Sequence, residues 1–211
     1  MLDFHCHSVL SDGELIPAEI WQRVRKLNYK AIAITDHADP SNLEMIIKNL
    51  LKFKNLYKNL VPTFIVGVEL THVLPEFIPE LIKESRKLGA EIVVVHGETI
   101  VEPVPEGTNL AAILGGADIL AHPGLIKEEE VKLAAEKGVF LEISGRKGHC
   151  FTNGHVVSLA KKYQAPLIIN SDAHSPSDFL TTEIALKVGM GAGLYYREVL
   201  SLWEIVQKRF L

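Results

Sequence analysis

The residues best suited to chemistry in this chain fall in pairs set two apart. His5 and His7 flank Cys6, and Asp172 and His174 flank Ala173. In an extended segment, residues i and i+2 share a face, so both side chains of a pair can reach one ion. Between the pairs lie single residues of the same kind: Asp12, His37, Glu69, His96 and His122. These imidazoles and carboxylates, with no thiolate among them, suit Zn²⁺, Mn²⁺ or Fe²⁺ and point away from a closed structural zinc site. Any one of them alone is more often a hydrogen-bonded structural residue than a ligand. Their weight comes from where the elements place them together.

Those elements read as seven βα units. Apolar, strand-like runs cover 1–4, 31–35, 63–70, 91–95, 118–121, 139–143 and 166–170, and helical patterns cover 17–26, 41–57, 75–88, 108–114, 127–137, 156–163, 177–188 and 196–210. The strands are continuously apolar, the mark of a parallel sheet buried on both faces. Strict alternation leaves a barrel or an open doubly wound sheet, and both build their sites at the C-terminal ends of the strands. Every strand delivers a metal-competent residue there. The first runs into His5-Cys6-His7 and then Ser11-Asp12-Gly13, and the second into Asp36-His37. Glu69, His96, His122 and Glu142 end the next four, and Asp172-Ala173-His174 follows the last.

The 211 residues suit one α/β domain spanning 1–211, and no linker, repeat or low-complexity segment interrupts them. No segment approaches the roughly 18 apolar residues of a membrane helix, and no signal peptide is evident at the N-terminus. Two cysteines, Cys6 and Cys150, cannot form a disulfide framework, so a cytoplasmic location is the default. The formal charge of −4 and the lack of a Lys/Arg stripe argue against duplex nucleic acid as a partner. Oligomeric state is left open.

Taken together these motifs resemble the PHP family (polymerase and histidinol phosphatase). His5-x-His7 with Ser11-Asp12-Gly13 is similar to its first motif, Thr35-Asp36-His37 to the second, His96 to the third and Ser171-Asp172-Ala173-His174 to the fourth. Gly67-Val68-Glu69 and Ala121-His122-Pro123 match two further ligand positions. The resemblance implies a distorted seven-stranded (β/α)7 TIM-like barrel with a trinuclear site holding two to three divalent metals. One ion would take His5, His7, Glu69 and Asp172; a second Glu69, His96 and His122; a third Asp12, His37 and His174. Asp12 stands where several histidinol phosphatases of the family carry His. The implied activity is hydrolysis of a phosphoester, most readily a small phosphomonoester like histidinol phosphate, by a metal-activated water. A phosphodiesterase or nuclease acting on nucleotides or single strands is the alternative, and a non-catalytic module a third.

Around the ligands the sequence offers further candidates. Glu69 and Asp172 are read as catalytic together with Asp36, which is expected to orient an imidazole. Glu142 is expected either to support a ligand or to touch substrate. Arg146 and Lys147, in the loop after the sixth strand, could grip the substrate's phosphate. Cys6 should turn away from the histidines beside it, and His72, His149 and His155 are read as surface or structural residues.

Overall fold

The computed structural model describes residues 1–211. Seven parallel strands follow one another round a nearly closed barrel: β1 (Leu2–Asp3), β2 (Ala31–Ile34), β4 (Thr63–Leu70), β5 (Ile92–His96), β6 (Ile119–Ala121), β7 (Phe140–Ser144) and β8 (Leu167–Asn170). A two-residue strand, β3 (His37–Ala38), lies beyond the end of β2 and pairs with β4 in a register that sets His37 beside Glu69. The helices between strands are α1 (Pro17–Lys26), α2 (Leu43–Tyr57), α3 (Ile78–Leu88), α4 (Thr108–Gly115), α5 (Glu128–Lys137) and α6 (Asn153–Tyr163). Two more, α7 (Thr182–Gly191) and α8 (Tyr196–Phe210), end the chain.

Closure between β1 and β8 is only partly a backbone ladder. Asp172 N donates to His5 O and His7 N to Ala173 O, each at 2.9 Å. Lower on the seam, side chains take over: Phe4 N donates to Asn170 Oδ1 at 3.0 Å and Ser171 N to Asp3 Oδ1 at 3.1 Å. Buried amides need partners, and these polar side chains supply them where the strands part.

The period of two in each strand separates core from site. Along β5, Val93 and Val95 join an apolar layer that also includes Ile20, Ile47 and Ile82 of the surrounding helices. Ile92 and Val94 belong to a second cluster, and His96 follows on their face. In β4 the same face carries Ile65, Gly67 and Glu69. Each such face is thus apolar low in its strand and ionisable at its C-terminal end.

Of the boundaries that differ from the sequence reading, three have clear local reasons. The carboxylate of Asp39 accepts from Ser41 N at 2.7 Å, so that turn is separate and α2 begins at Leu43. Residues 177–180 are not helical; α7 starts after Thr181, whose Oγ1 caps Ile184 N at 3.2 Å. The helix expected from 156 starts at Asn153, preceded by a 3₁₀ turn over His149–Thr152. No helix is long and apolar enough to cross a membrane.

Candidate metal centre

The loop after β1 is fastened before it offers any donor. Asp36 accepts hydrogen bonds from Ser8 N at 2.6 Å, Ser8 Oγ at 2.8 Å and Ser11 Oγ at 2.8 Å. It hydrogen-bonds to no imidazole, which corrects the role read for it: Asp36 ties down the loop, and strand alternation turns it away from the face of His37. Gly13 lets that loop fold back, because a Cβ there would lie 2.3 Å from His7 O.

The resulting turn presents Asp12 to the imidazoles of His37 and His174, with Oδ1 3.6 and 3.3 Å from their Nε2 atoms. The ring of His7 lies behind both, its centroid 4.2 Å from that of His37 and 4.0 Å from that of His174.

Deeper in the barrel, His5, His7, Glu69, His122 and Asp172 are all buried. His5 Nε2 is 3.2 Å from Glu69 Oε1 and 3.8 Å from Asp172 Oδ1, and His7 Nε2 is 3.3 Å from Asp172 Oδ1. His122 Nε2 stands 3.7 Å from both Glu69 Oε1 and Asp172 Oδ2. Donors about 2.1 Å from a shared tetrahedral ion stand roughly 3.4 Å apart. These spacings fit ions between the side chains better than direct hydrogen bonds.

Unpaired atoms say the same. His5 Nε2, both ring nitrogens of His7, Glu69 Oε1 and His122 Nδ1 are buried without a hydrogen-bond partner. Each orphaned group costs about 1–3 kcal/mol unless something else satisfies it. Two of the chain's six non-glycine residues with positive φ lie here, His122 at 27° and Asp172 at 52°. At His122 that conformation has a use. Ala121 packs inward, so strict alternation would turn His122 outward; the left-handed backbone brings it into the cavity instead.

For two of the rings, supporting contacts set which nitrogen is offered. His5 Nδ1 is 2.7 Å from Glu142 Oε2, which also accepts from Asn170 Nδ2 at 2.9 Å. His37 Nδ1 lies 2.6 Å from Glu69 Oε2. Carboxylates on the far nitrogens fix the rings and leave Nε2 free, the way metal-binding histidines are held. Of the two roles open to Glu142, the geometry matches support of a ligand.

The titration of the groups follows their crowding. Burial alone would lower the His5 imidazole, but Glu142, Glu69 and Asp172 outweigh it and hold it well above its ordinary value. Burial, with Glu69 and Glu142 adding to it, pushes Asp172 up to about 7. His7 and His122 are driven well below the usual range, chiefly by burial, and so are neutral, the form a metal ligand needs. Buried carboxylates at this density call for cations.

An open cavity of about 480 Å³ adjoins these groups, and Asp12, His37, His96, His122, Asp172 and His174 all line it. Arg146 lines it too and is its one Lys or Arg. Its Nη1 lies 2.6 Å from His174 Nδ1 and 3.2 Å from Asp172 O. Lys147, by contrast, is exposed and absent from the lining, so the clamp expected of the basic pair reduces to Arg146.

Four ionisable residues in the cavity wall were not read as site residues: Asp39, His72, Glu102 and His149. Glu102 Oε2 is 3.0 Å from His96 Nε2, and Oε1 is 3.4 Å from His149 Nε2. The sequence signal for His149 was its place just after a strand end; Glu102 carried none. His155 bonds Ile126 O through Nε2 at 2.8 Å, and Cys6 donates its thiol to Ala33 O at 3.3 Å, both structural roles.

The PHP domain family matches residues 3–166. An uncharacterised protein of Methanocaldococcus jannaschii is 50% identical over 202 residues, which take in 93% of this chain and 92% of that protein. The chain is 27% identical to ribonuclease P protein component 3 of Methanosarcina mazei over 225 residues, 99% of this chain and 87% of that one. Among solved structures, its fold is similar to histidinol phosphate phosphatase of Lactococcus lactis, solved with zinc, L-histidinol and phosphate. That likeness has a TM-score of 0.63 at 18% identity and covers 92% of this chain and 94% of the other. A family match over most of the chain, on a barrel with these donors at its C-terminal end, settles the descent: the chain belongs to the PHP domain family.

Proposed function

We propose that this protein is a metal-dependent hydrolase of phosphoesters, and that its substrate is a small phosphomonoester resembling histidinol phosphate. The observation that carries the reading is a set of buried donors, several without partners, opening on a cavity with one guanidinium. His5, His7, Glu69 and Asp172 would hold one divalent ion, Glu69 with His96 and His122 a second, and Asp12, His37 and His174 a third. The bound ions supply a water that is nucleophilic at neutral pH and positive charge against phosphoryl oxygens.

The chain's own residues do the positioning. Glu142 and Asn170 hold His5 from behind, and Glu69 does the same for His37. Arg146, at the cavity wall, can donate two parallel hydrogen bonds to phosphate oxygens, which lysine cannot copy. The cavity volume lies within the range of small-molecule sites. The free cysteines Cys6 and Cys150 accord with a cytoplasmic setting.

One observation favours a second reading. The likeness to ribonuclease P protein component 3 supports action on, or association with, RNA. Assay of the Zn²⁺- and Mn²⁺-loaded protein against phosphomonoesters, phosphodiesters and oligonucleotides separates the two. Turnover of small monoesters well above the others is expected. Cleavage confined to diesters or oligonucleotides would overturn the monoester assignment.

A further inference from the structure

The loops after β5 and β7 set two residues beside His96 and His122 that the nine-residue ligand set leaves out. His149 is 5% exposed and its ring stacks on that of His122, with centroids 4.0 Å apart and planes at 18°. Its Nδ1 lies 2.8 Å from Thr99 Oγ1. With that nitrogen engaged, Nε2 turns toward the cavity, 3.4 Å from Glu102 Oε1 and 4.0 Å from Asp172 Oδ2. Glu102 reaches over from the β5 loop to place Oε2 3.0 Å from His96 Nε2. Ligand-capable nitrogens of His96, His122 and His149 lie within 4.8 Å of one another, and Glu102 forms a like group with His96 and His72.

A network of charged histidines round one carboxylate accounts for this poorly. Glu102 faces His72 and His149 at 3.4 Å as well as His96. One negative charge cannot balance several imidazolium groups, and His96 and His149 are buried where an unbalanced charge is costly. Neutral imidazoles sharing a cation with the carboxylate leave no such imbalance of charge. A ring anchored through one nitrogen by a hydroxyl, with the other bare, is also how metal-binding histidines are oriented.

Resting on the metal-centre reading above, we propose that His149 and Glu102 are two further ligands of the ion held by His96 and His122. With Glu69 they make that position a site of three imidazoles and two carboxylates, the richest in nitrogen of the three. The site held by Asp12, His37 and His174 has one imidazole fewer. The two positions therefore differ in their preference for nitrogen-loving ions, with the His149 site the more selective for Zn²⁺ over Mn²⁺.

The test is metal binding to the full chain, read without any substrate. Wild type, His149→Ala and Glu102→Gln are stripped, titrated with Zn²⁺ against a chromophoric chelator, and separately loaded with Co²⁺ for visible spectra. Outer partners of ligands already cost 10- to 100-fold in affinity, so removing a direct ligand should weaken one ion by roughly 100-fold or more. The other ions should bind as in wild type, and the Co²⁺ spectrum should change in both variants. Glu102→Gln keeps the shape of a part-exposed side chain, so it guards against loss of folding in His149→Ala. Unchanged affinity and unchanged spectra in both variants, with wild type binding its ions, would overturn the proposal and leave the metal centre standing. Wild type that binds no ion would bring down both.

Discussion

The donors form two unlike groups. The inner group, His5, His7, Glu69, His122 and Asp172, is buried, carries five of the eight buried side-chain atoms without a partner, and includes two residues with left-handed backbone. The rim group, Asp12, His37, Glu102 and His174, is partly exposed, with side-chain exposures of 56%, 28%, 38% and 12%. Its members lie within reach of water, and none of their side-chain atoms is buried without a partner. Similar side chains therefore meet different needs. The lone pairs of the inner atoms are shut off from bulk solvent, so a bound cation would satisfy them, whereas rim atoms can exchange an ion for solvent at little cost. The inner group should fix the presence of metal, and the rim group should adjust its number and the fit of substrate.

Breaking the inner group at its centre should have the largest effect. Glu69 faces His5, His37 and His122, so Glu69→Ala removes a carboxylate shared by several imidazoles. The account expects kcat/KM to fall about 10³-fold or more, since several kcal/mol of charge stabilisation go with the ions. Metal content should fall with it; wild-type activity with unchanged metal content would refute the shared role. Glu142→Gln sharpens the comparison from behind the ligands. It weakens the hold on His5 without removing a donor to any ion, so metal affinity should drop about 10- to 100-fold, as chelator competition would show.

Arg146 tests the rim. Arg146→Ala should lower kcat/KM by roughly 10- to 100-fold, the loss of a charge-assisted hydrogen bond, and Arg146→Lys should recover only part. The inner ions should remain; wild-type kinetics would return this loop to an ordinary solvated turn. The smallest effect belongs to Asp12→Ala. At most one ion should be lost, and stability should stay within about 0.5 kcal/mol of wild type, as for exposed positions generally. Denaturant unfolding measures it, and a large destabilisation would erase the distinction between the groups.

Much of this was open to reading in the chain. Continuously apolar runs such as Ile92–Val95 implied a buried parallel sheet, and its strand ends offered imidazoles and carboxylates, of which Asp12, His37, His96, His122, Asp172 and His174 line one cavity. Alternation alone also explains Cys6, and would have told against Asp36 as a partner for an imidazole. What escaped reading depends on folding at a distance. β3 is too short to show a period, and its pairing exists only because the end of β4 lies beside it. Glu102 sits in an irregular loop, and His149 in a 3₁₀ turn aimed by Thr99, some 50 residues earlier. No local pattern announces such contacts.

The central claim is that the inner group exists to hold cations. Elemental analysis of protein purified without chelator, paired with unfolding before and after metal removal, tests it most directly. The account predicts about two to three transition-metal ions per chain and a clear loss of stability on stripping, reversed by adding Zn²⁺ or Mn²⁺. A metal-free protein of full stability that takes up no ion on reconstitution would contradict it.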